Sequence, residues 1–341
     1  MVWPLARTMN SVAVIGAGAW GTALGKALGD KGYTVRLWTR RPEHASAMAR
    51  DRENARYLPG VRLPATLSAT DSLEAALDGV SLVVLVVPSH ALRETVVAAR
   101  PYVPPGAALV NATKGIENDT LMTMAEVVAD VLGPDTDARF TVLSGPSFAR
   151  EVAAQVPTNV VVASHDAALA AEVQRVFATE WLRVYSSDDP VGVEVGGALK
   201  NVIAIAAGAC DGLGFGHNTR AALVTRGLAE VARIAVAKGG NVLTLAGLAG
   251  LGDLVLTCTG ELSRNRTVGF ELGRGKQLSD VLVALGHVAE GVRTAKSVHD
   301  LALRLDVDLP ICNEVYRVLY EGKPPQRAVE DLLARPLKRE W

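Results

Sequence analysis

The sequence contains 341 residues, with 35 Lys plus Arg against 36 Asp plus Glu and 49% hydrophobic residues. This length favours two domains, and the near-zero net charge excludes a general attraction to nucleic acid or to an anionic membrane surface. The three cysteines, Cys210, Cys258 and Cys312, have neither metal-ligand nor disulfide spacing. We therefore expect a reducing, cytoplasmic setting and no bound metal.

The apolar runs and the N-terminal segment do not indicate a membrane protein. Runs such as residues 82–87 are far too short to span a bilayer, so we expect a soluble chain without membrane insertion. Residues 1–8 lack the apolar centre and cleavage site of a signal peptide, and we expect them to form a loose leader. A native start at Met9 stays open, because the first predicted strand begins soon after it.

A strand, a glycine turn and a helix are predicted near the N-terminus. The apolar run Ser11–Ile15 leads directly into Gly16-Ala-Gly-Ala-Trp-Gly21, and a helix-forming pattern follows. Gly16 permits the tight turn, Gly18 lets a pyrophosphate approach the backbone, and Gly21 lets helix and strand pack closely. Free N–H groups at the helix start would bind the phosphates. The pattern predicts dinucleotide binding; a glycine-rich turn in an unrelated βαβ unit is the alternative.

Two arginines stand where an NAD-specific site usually has an acid. A second strand is predicted at residues 34–38, and Thr39-Arg40-Arg41-Pro-Glu follows it. An acid there would hold the ribose 2′-hydroxyl, whereas guanidinium groups suit a 2′-phosphate. We therefore predict NAD(P)H binding with NADP(H) favoured. A solvated loop charge is the alternative for Arg41.

Further strands complete a Rossmann-type, mostly parallel sheet of about eight strands. The apolar runs that predict them cover residues 82–87, 107–112, 140–143, 159–163 and 182–185. Lys114 follows one of these strands, and the polar turn Ser-Gly-Pro-Ser-Phe-Ala at 144–149 follows another. Open α/β sheets bind ligands at the carboxyl ends of their strands, so both are candidate site segments.

The second half of the sequence changes from α/β to all-α. We predict a dinucleotide-binding domain over residues 1–190 and an all-helical substrate and dimerisation domain over 191–341. Lys200 lies in an apolar run of small residues at this junction, a common location for substrate pockets. Burial would lower the pKa of Lys200 and suit it to proton transfer. The alternative is a lysine that extends from a core helix to the surface.

Two polar clusters interrupt the later helical patterns. The first is Asp253, in a flexible apolar turn, and the second opens a helix that is predicted to end at about Gly273. In the second cluster, Ser263, Arg264 and Asn265 can hold a phosphate together with free backbone N–H groups. The alternative is that Ser263 only caps the helix and the arginines are solvated.

These motifs together resemble those of NAD(P)-dependent glycerol-3-phosphate dehydrogenases of the bacterial type. The resemblance covers roughly residues 11–330 and rests on Gly16–Gly21 with Trp20, Asn-Ala-Thr-Lys114-Gly, 144–149, Gly-Gly-Ala-Leu-Lys200-Asn-Val, Gly-Leu-Gly-Asp253-Leu and Ser263-Arg-Asn-Arg266. It implies reversible reduction of dihydroxyacetone phosphate to sn-glycerol 3-phosphate by NAD(P)H, supplying phospholipid synthesis. It also implies a homodimer formed through the helical domain.

The resemblance further implies site residues. Lys200 matches the proton acceptor of glycerol phosphate oxidation, and Lys114 matches a contact to both cofactor and substrate. The implied substrate contacts are Lys114, Gly145, Ser147, Lys200, Asp253, Ser263, Arg264 and Asn265. The implied cofactor contacts outside the glycines are Trp20, Arg40, Lys114, Ala149, Arg264, Val288 and Glu290. Ala19 departs from a frequent serine, so only its backbone could donate to a pyrophosphate.

A mechanism fits these residues. Lys200 would donate a proton to the carbonyl oxygen in reduction and take it back in oxidation. Lys114 would polarise the carbonyl and lower the pKa of Lys200 by like-charge repulsion, while Asp253 would orient the substrate hydroxyl or Lys200. His217, in the predicted loop 212–218, is the rival acid, although loop capping or a dimer contact is favoured. Cys258 is expected to be a small buried residue rather than a nucleophile.

Two other functions compete. One is another NADP-dependent two-domain reductase, acting on a hydroxy acid or a ketopantoate-like substrate, and the cluster at Ser263 argues against it. The other is a cofactor-sensing binding protein that has lost catalysis, and retention of Lys114 and Lys200 argues against it.

Overall fold

The computed structural model describes residues 10–286, 289–337 and 339–340. The expected leader, the possible start at Met9 and the implied cofactor contact Val288 lie outside these residues. The chain divides into two compact units: Met1–Lys114 with Met122–Glu194, and Gly115–Leu121 with Val195–Trp341. The short segment Gly115–Leu121 thus groups with the helical unit, although it follows a strand of the first unit in sequence.

The first unit is built on an eight-stranded sheet in the order β10-β9-β8-β7-β6-β1-β2-β5, and β3 and β4 form a separate antiparallel pair. The strands are β1 Ser11–Ile15, β2 Thr34–Trp38, β3 Glu53–Asn54, β4 Leu58–Arg62, β5 Leu67–Thr70, β6 Leu82–Leu85, β7 Ala108–Asn111, β8 Phe140–Ser144, β9 Thr158–Ala163 and β10 Leu182–Ser187. All neighbours in the sheet are parallel except β8 and β9. The predicted mostly parallel, Rossmann-type sheet is confirmed.

The chain order reverses at β1, because β2 pairs with one edge of β1 and β6 pairs with the other. A turn that follows β1 therefore opens at the point where doubly wound sheets bind their ligands. Strand β5 was not predicted individually. It is a four-residue edge strand with the sequence Leu-Ser-Ala-Thr, too short and too polar for its apolar pattern to be recognised.

Seven helices and three short 3-10 helices complete the first unit among the described residues. The helices are α1 Ala19–Asp30, α2 Pro42–Asp51, α3 Leu73–Leu77, α4 Leu92–Ala99, α5 Met124–Leu132, α6 Ala149–Ala153 and α7 Ala167–Phe177; the 3-10 helices are Ser89–Ala91, Arg100–Tyr102 and Pro134–Arg139. Leu24 and Leu28 of α1 are buried in one hydrophobic cluster with Val12 of β1 and Val35 of β2. Each such leucine contributes about 1.5–3 kcal/mol of burial free energy, which holds α1 behind the sheet.

The second unit is helical. Its helices are α8 Pro190–Gly212, which begins in the first unit, α9 His217–Ala237, α10 Val242–Leu245, α11 Asp253–Thr259, α12 Arg264–Gly273, α13 Leu278–Leu285, α14 Glu290–Leu305, α15 Pro310–Tyr320 and α16 Pro325–Leu333, with a π-helical turn at Leu248–Gly252. Helices α8 and α12 touch backbone to backbone. A Cβ atom added at Gly208 would lie 1.9 Å from the carbonyl oxygen of Arg266, and one at Gly269 would lie 1.9 Å from that of Ile205.

Two helical runs in the described part of the chain are longer and more apolar than the sequence analysis allowed. Pro190–Gly212 and Val242–Thr259 could each cross a membrane by length and composition alone, and 89% and 39% of their apolar windows are buried inside the structure. The first run also carries the buried polar residues Glu194, Lys200 and Asn201. A core helix passes the same length and composition test, so this observation is weak evidence for a membrane span.

Candidate active site

The glycine turn after β1 has the geometry that a bound pyrophosphate requires. Gly16 has φ +126°, and a Cβ atom there would lie 2.7 Å from the carbonyl oxygen of Val86. At Gly21 a Cβ would lie 1.9 Å from the carbonyl oxygen of Gly16, so both positions need glycine. A Cβ at Gly18, the N-cap residue of α1, would have no described atom within 4 Å. Open space therefore adjoins the N–H groups at the start of α1.

Three implied cofactor contacts lie together beside this turn. Ala19, Trp20 and Ala149 pack against one small hydrophobic cluster that joins α1 and α6. The indole N–H of Trp20 is buried and has no hydrogen-bond partner among the described residues. A buried donor without a partner is costly, so a ligand acceptor at this position would be favourable. The residues present therefore fit a bound dinucleotide.

The two arginines follow the carboxyl end of β2. Arg40 is exposed, and Arg41 is a half-buried N-cap of α2. The preceding residue, Thr39, is bonded through its hydroxyl to His44 Nδ1 at 3.1 Å, and His44 Nε2 lies 2.9 Å from Asn54 Oδ1. Asn54 Nδ2 in turn donates to the carbonyl oxygen of Ala17 at 2.9 Å. This buried chain of side chains links the arginine-bearing loop to the glycine turn.

Lys114, Gly145 and Ser147 come together at the ends of β7 and β8. The carbonyl oxygen of Gly145 accepts a long bond from Lys114 Nζ at 3.4 Å and a bond from Ser147 Oγ at 2.9 Å. Gly145 has φ +132°, and a Cβ there would lie 3.0 Å from Val160 Cα. The turn therefore depends on glycine to bring these polar groups to the sheet edge.

Lys200 is a buried ion-paired lysine in the second unit. It is 8% exposed and donates to the carboxylate of Asp253, which is 1% exposed. Its ammonium also donates to Thr257 Oγ1 at 3.0 Å, and that hydroxyl donates to the backbone oxygen of Asp253 at 2.6 Å. The alternative in which Lys200 extends to the surface is therefore wrong, because the ammonium is bound inside the unit.

Asp253 reaches Lys200 because of a close backbone approach. A Cβ at Gly196 would lie 2.6 Å from the carbonyl oxygen of Ala249, so the π-helical turn can approach α8 only beside a glycine. Asp253 is the first residue of α11 and does not belong to a flexible turn, which corrects the sequence-based expectation. The preceding residues, Leu248–Gly252, form a π-helical turn that continues into α11, so the carboxylate extends from a continuous helical segment.

The predicted phosphate cluster lies at the N-terminus of α12, and its two arginines have different environments. Arg264 is exposed to solvent; desolvation by surrounding protein lowers its pKa, and the Glu290 carboxylate offsets part of this effect. Arg266 binds Asp211 Oδ2 through Nε at 3.0 Å and Nη2 at 2.7 Å, so its guanidinium is held in an ion pair.

Ser263 and Asn265, the other candidate phosphate contacts, also make hydrogen bonds within the second unit. Ser263 caps α12 by accepting from the N–H of Arg266 at 3.2 Å. Asn265 donates to Asn201 Oδ1 at 2.9 Å and accepts from the N–H of Gly291 at 3.0 Å. Asn265 thereby joins α12 to α8 and to the start of α14. Ser263 keeps its hydroxyl proton and Asn265 its second N–H, which are donors of the kind a phosphate binds.

The rival residues, His217 and Cys258, have environments different from that of Lys200. His217 is the exposed first residue of α9 rather than a loop residue. Burial raises the pKa of Cys258 to about 12, with the charge of Lys200 lowering it to a smaller extent. A thiol with such a pKa is protonated at neutral pH and is a weak nucleophile.

Two family models match most of the chain. The model described as "NAD-dependent glycerol-3-phosphate dehydrogenase N-terminus" matches residues 11–170, and the corresponding C-terminus model matches residues 189–330. The chain belongs to the NAD-dependent glycerol-3-phosphate dehydrogenase family. It is 56% identical to the glycerol-3-phosphate dehydrogenase [NAD(P)+] of Geobacter sulfurreducens over 96% of this chain and 98% of that protein.

Solved structures agree with this family membership. The glycerol-3-phosphate dehydrogenase of Coxiella burnetii superposes with a TM-score of 0.91 and 41% identity, covering 97% of this chain and 100% of that one. A ketopantoate reductase from Ralstonia eutropha superposes with a TM-score of 0.58 and 18% identity over 94% of this chain and 99% of that one. The second likeness shows a shared fold alone, and the ketopantoate-like alternative is not favoured.

The sequence analysis did not identify three polar residues that are bonded to a candidate site residue or to the turn before one. Thr257 binds Lys200, and its spacing of four residues from Asp253 on a helix could have indicated a shared face. Asn111 and Glu194 are hydrogen-bonded to each other at 2.9 Å within the first unit. They are separated by more than eighty residues in sequence, so no local pattern connects them.

Proposed function

We propose that this chain interconverts dihydroxyacetone phosphate and sn-glycerol 3-phosphate with NAD(P)H. The observation that carries the proposal is the buried ammonium of Lys200, bound by Asp253 and Thr257, in a chain that is 56% identical to a glycerol-3-phosphate dehydrogenase [NAD(P)+]. An oriented lysine at low exposure is a suitable proton donor for a carbonyl oxygen.

The first unit would hold the nicotinamide dinucleotide. Gly16, Gly18 and Gly21 would accommodate the pyrophosphate, with the backbone of Ala19 and the indole of Trp20 as further contacts. Arg40 and Arg41 would bind a 2′-phosphate, which supports a preference for NADP(H). The resemblance adds Lys114, Ala149, Arg264 and Glu290 as cofactor contacts. When bound, the cofactor supplies or accepts the hydride at the substrate carbon.

The chain's own residues would move the proton. The bonds of the Lys200 ammonium to Asp253 and Thr257 orient the side chain and keep it at low exposure. Lys200 would donate its proton to the substrate oxygen during reduction and recover it during oxidation. Lys114, at the end of β7, would polarise the carbonyl with its positive charge.

The start of α12 would bind the substrate phosphate. Arg264 supplies a charged fork, and Ser263 and Asn265 supply neutral donors beside the free N–H groups of the helix start. The resemblance adds Gly145 and Ser147 as substrate contacts. Phosphate binding supplies free energy that positions the remote reacting carbon.

The cellular setting forms part of the same proposal. We infer a cytoplasmic homodimer that supplies glycerol 3-phosphate for phospholipid synthesis, as the resemblance implies. Exposed apolar side chains on the helical unit, among them Leu243 and Leu303, support self-association through that unit.

The proposed function is tested by following NADPH and NADH absorbance with and without dihydroxyacetone phosphate. We expect substrate-dependent oxidation, faster with NADPH at limiting cofactor. Lys200→Ala should lower turnover by roughly 10²–10⁴-fold, the usual effect of removing a general acid, while still binding NADPH.

Lys276→Ala is the matched control, because Lys276 is an exposed lysine of the same unit. It should leave turnover unchanged. Oxidation with a hydroxy-acid precursor but not with dihydroxyacetone phosphate would favour the alternative reductase. NADPH binding without any turnover would instead favour a cofactor-sensing protein.

A further inference from the structure

A buried glutamate is bonded to the strand that leads into Lys114. Glu194 is 7% exposed and lies near the start of α8. Its Oε1 accepts from Asn111 Nδ2 at 2.9 Å and from the N–H of Ala125 at 3.0 Å. The carboxylate thus connects the end of β7 to the first turn of α5.

Asn111 uses the rest of its amide on the turn before Lys114. Its Oδ1 accepts from the N–H of Thr113 at 3.1 Å, and its Nδ2 also donates to the carbonyl oxygen of Thr113 at 3.1 Å. Thr113 Oγ1 donates to the carbonyl oxygen of Val87 at 2.9 Å. The fully buried amide of Asn111 is therefore bonded to the backbone of Thr113, the residue directly before Lys114.

We propose that Glu194 is a positioning residue that holds Lys114 in place through the amide of Asn111. This inference rests on the proposed function, in which Lys114 contacts substrate and cofactor. Without the carboxylate, Asn111 Nδ2 loses one acceptor in a dry environment, and the amide can rotate away from Thr113. Lys114 would then sample positions away from the reacting carbonyl.

A second role of Glu194 is purely structural, because its bond to the N–H of Ala125 also satisfies a free donor at the start of α5. Within the part of the chain that the structure describes, the second unit offers a matched residue with this kind of capping role. Glu230 is a buried glutamate that accepts from the N–H groups of Ile311 and Cys312 at 2.7 and 3.0 Å, at the start of α15. Substituting Glu230 tests the loss of helix capping by itself.

Glu194→Leu should lower the kcat/KM for dihydroxyacetone phosphate by roughly 10–100-fold, since small misplacements of a reacting group have effects of this size. Glu194→Gln should retain most activity, because the amide oxygen can still accept from Asn111. Glu230→Leu should reduce thermal stability without a comparable loss of kcat/KM. If Glu194→Leu and Glu230→Leu lost equal thermal stability and also lost equal kcat/KM, the inference would be overturned.

A double-mutant cycle with Lys114→Ala separates positioning from general damage. If Glu194 acts through Lys114, introducing Glu194→Leu into the Lys114→Ala protein should lower kcat/KM by less than about a further twofold. The fold losses of kcat/KM caused by Glu230→Leu and by Lys114→Ala should multiply in the double variant. Full multiplication of the Glu194→Leu and Lys114→Ala effects would contradict the proposal.

A readout independent of turnover is the rate of amine labelling by acetic anhydride, measured for each lysine by mass spectrometry. Glu194→Leu should change the labelling rate of Lys114 relative to Lys276 by at least twofold, whereas Glu230→Leu should not. An unchanged rate in a folded Glu194→Leu protein would overturn the inference, even if the wild type reduced another substrate. Inactivity of the wild type would instead count against the proposed function.

If Glu194→Leu does not fold, Asn111→Ser removes the same link from the other end. It leaves the bond between Glu194 and Ala125 available, so helix capping is preserved. The labelling rate of Lys114 should again change. An unchanged rate would contradict the inference in this variant too.

Discussion

Arg264 and Arg266 are separated by one residue, yet one is exposed and the other is held by an ion pair. Residues two apart on a helix point to nearly opposite sides, because each residue turns the chain by about 100°. Arg266 therefore faces α8 and binds Asp211, which also accepts from Arg220 Nε at 2.9 Å. By the same rotation Arg264 extends from the other side of α12, and it is the exposed arginine of the two.

Substituting these two arginines should have different effects. Arg264→Ala should raise the KM for dihydroxyacetone phosphate by roughly 10–100-fold, because a hydrogen bond to a charged group contributes ~1.5–3 kcal/mol. Arg266→Ala should lower the free energy of unfolding by a similar amount, since it removes one partner of a buried carboxylate. Initial rates and urea unfolding measure the two effects. A KM increase of equal size in Arg266→Ala would contradict this assignment.

At the scale of elements, glycines determine how closely the helices of the second unit approach. Gly208 and Gly269 bring α8 and α12 into backbone contact, and Gly196 does the same for α8 and the π-helical turn. A Cβ at Gly291, on α14, would lie 2.5 Å from the carbonyl oxygen of Asn201. These contacts hold Lys200, Asn201 and Asn265 near one another. The arrangement of these polar residues therefore requires glycine, rather than a residue with a side chain, at the contact positions.

Gly208→Ala should destabilise the protein although alanine is the better helix former. The added methyl group would lie 1.9 Å from a backbone oxygen, and overpacking of this kind typically costs ~1–3 kcal/mol or more. The gain in helix propensity is only about 1 kcal/mol. We expect a lower urea midpoint and reduced activity, because α12 must move away from α8.

Gly216→Ser is the matched control for this substitution. Gly216 is the N-cap of α9 with φ −86°, and a Cβ there would have no described atom within 4 Å. Serine is also a favoured N-cap residue, so stability should be unchanged or slightly higher. If Gly216→Ser lowered the urea midpoint as much as Gly208→Ala does, the contact between α8 and α12 would not be the cause of the destabilisation.

At the scale of the whole molecule, the buried glutamates make stability depend on pH. Burial raises the pKa of Glu194 from 4.5 to about 7, opposed by hydrogen bonds from Thr123, Ala125 and Asn111. Burial likewise raises the pKa of Glu230. A pKa that is higher in the folded state stabilises the fold below the unfolded pKa, and this contribution is lost as the pH rises through the folded pKa.

The free energy of unfolding should therefore fall between about pH 4.5 and pH 7 by on the order of 3 kcal/mol from Glu194 alone. Glu194→Gln cannot titrate at this position and should show a shallower fall. Urea unfolding of both proteins at pH 5, 6, 7 and 8 provides the comparison. Parallel pH curves for wild type and Glu194→Gln would contradict the expectation.

The sequence by itself determined the elements whose signals are local. Strands β1 and β2 have the predicted bounds, because short β-branched runs are bounded by turn residues. Helix α12 begins after Ser263 and ends at Gly273 as expected from capping chemistry. The glycine turn, with a strand before it and a helix after it, indicated dinucleotide binding, and the motifs along the chain together indicated the family by resemblance.

Only the tertiary structure decided which distant side chains meet. Lys200 and Asp253 are 53 positions apart, and Asn111 and Glu194 are 83 apart. Hydrophobic periodicity and turn chemistry act over a few residues, whereas these pairs depend on how whole helices and strands pack. A buried charge is costly without a partner, so burial required that Lys200 be bound by a carboxylate, and packing selected Asp253.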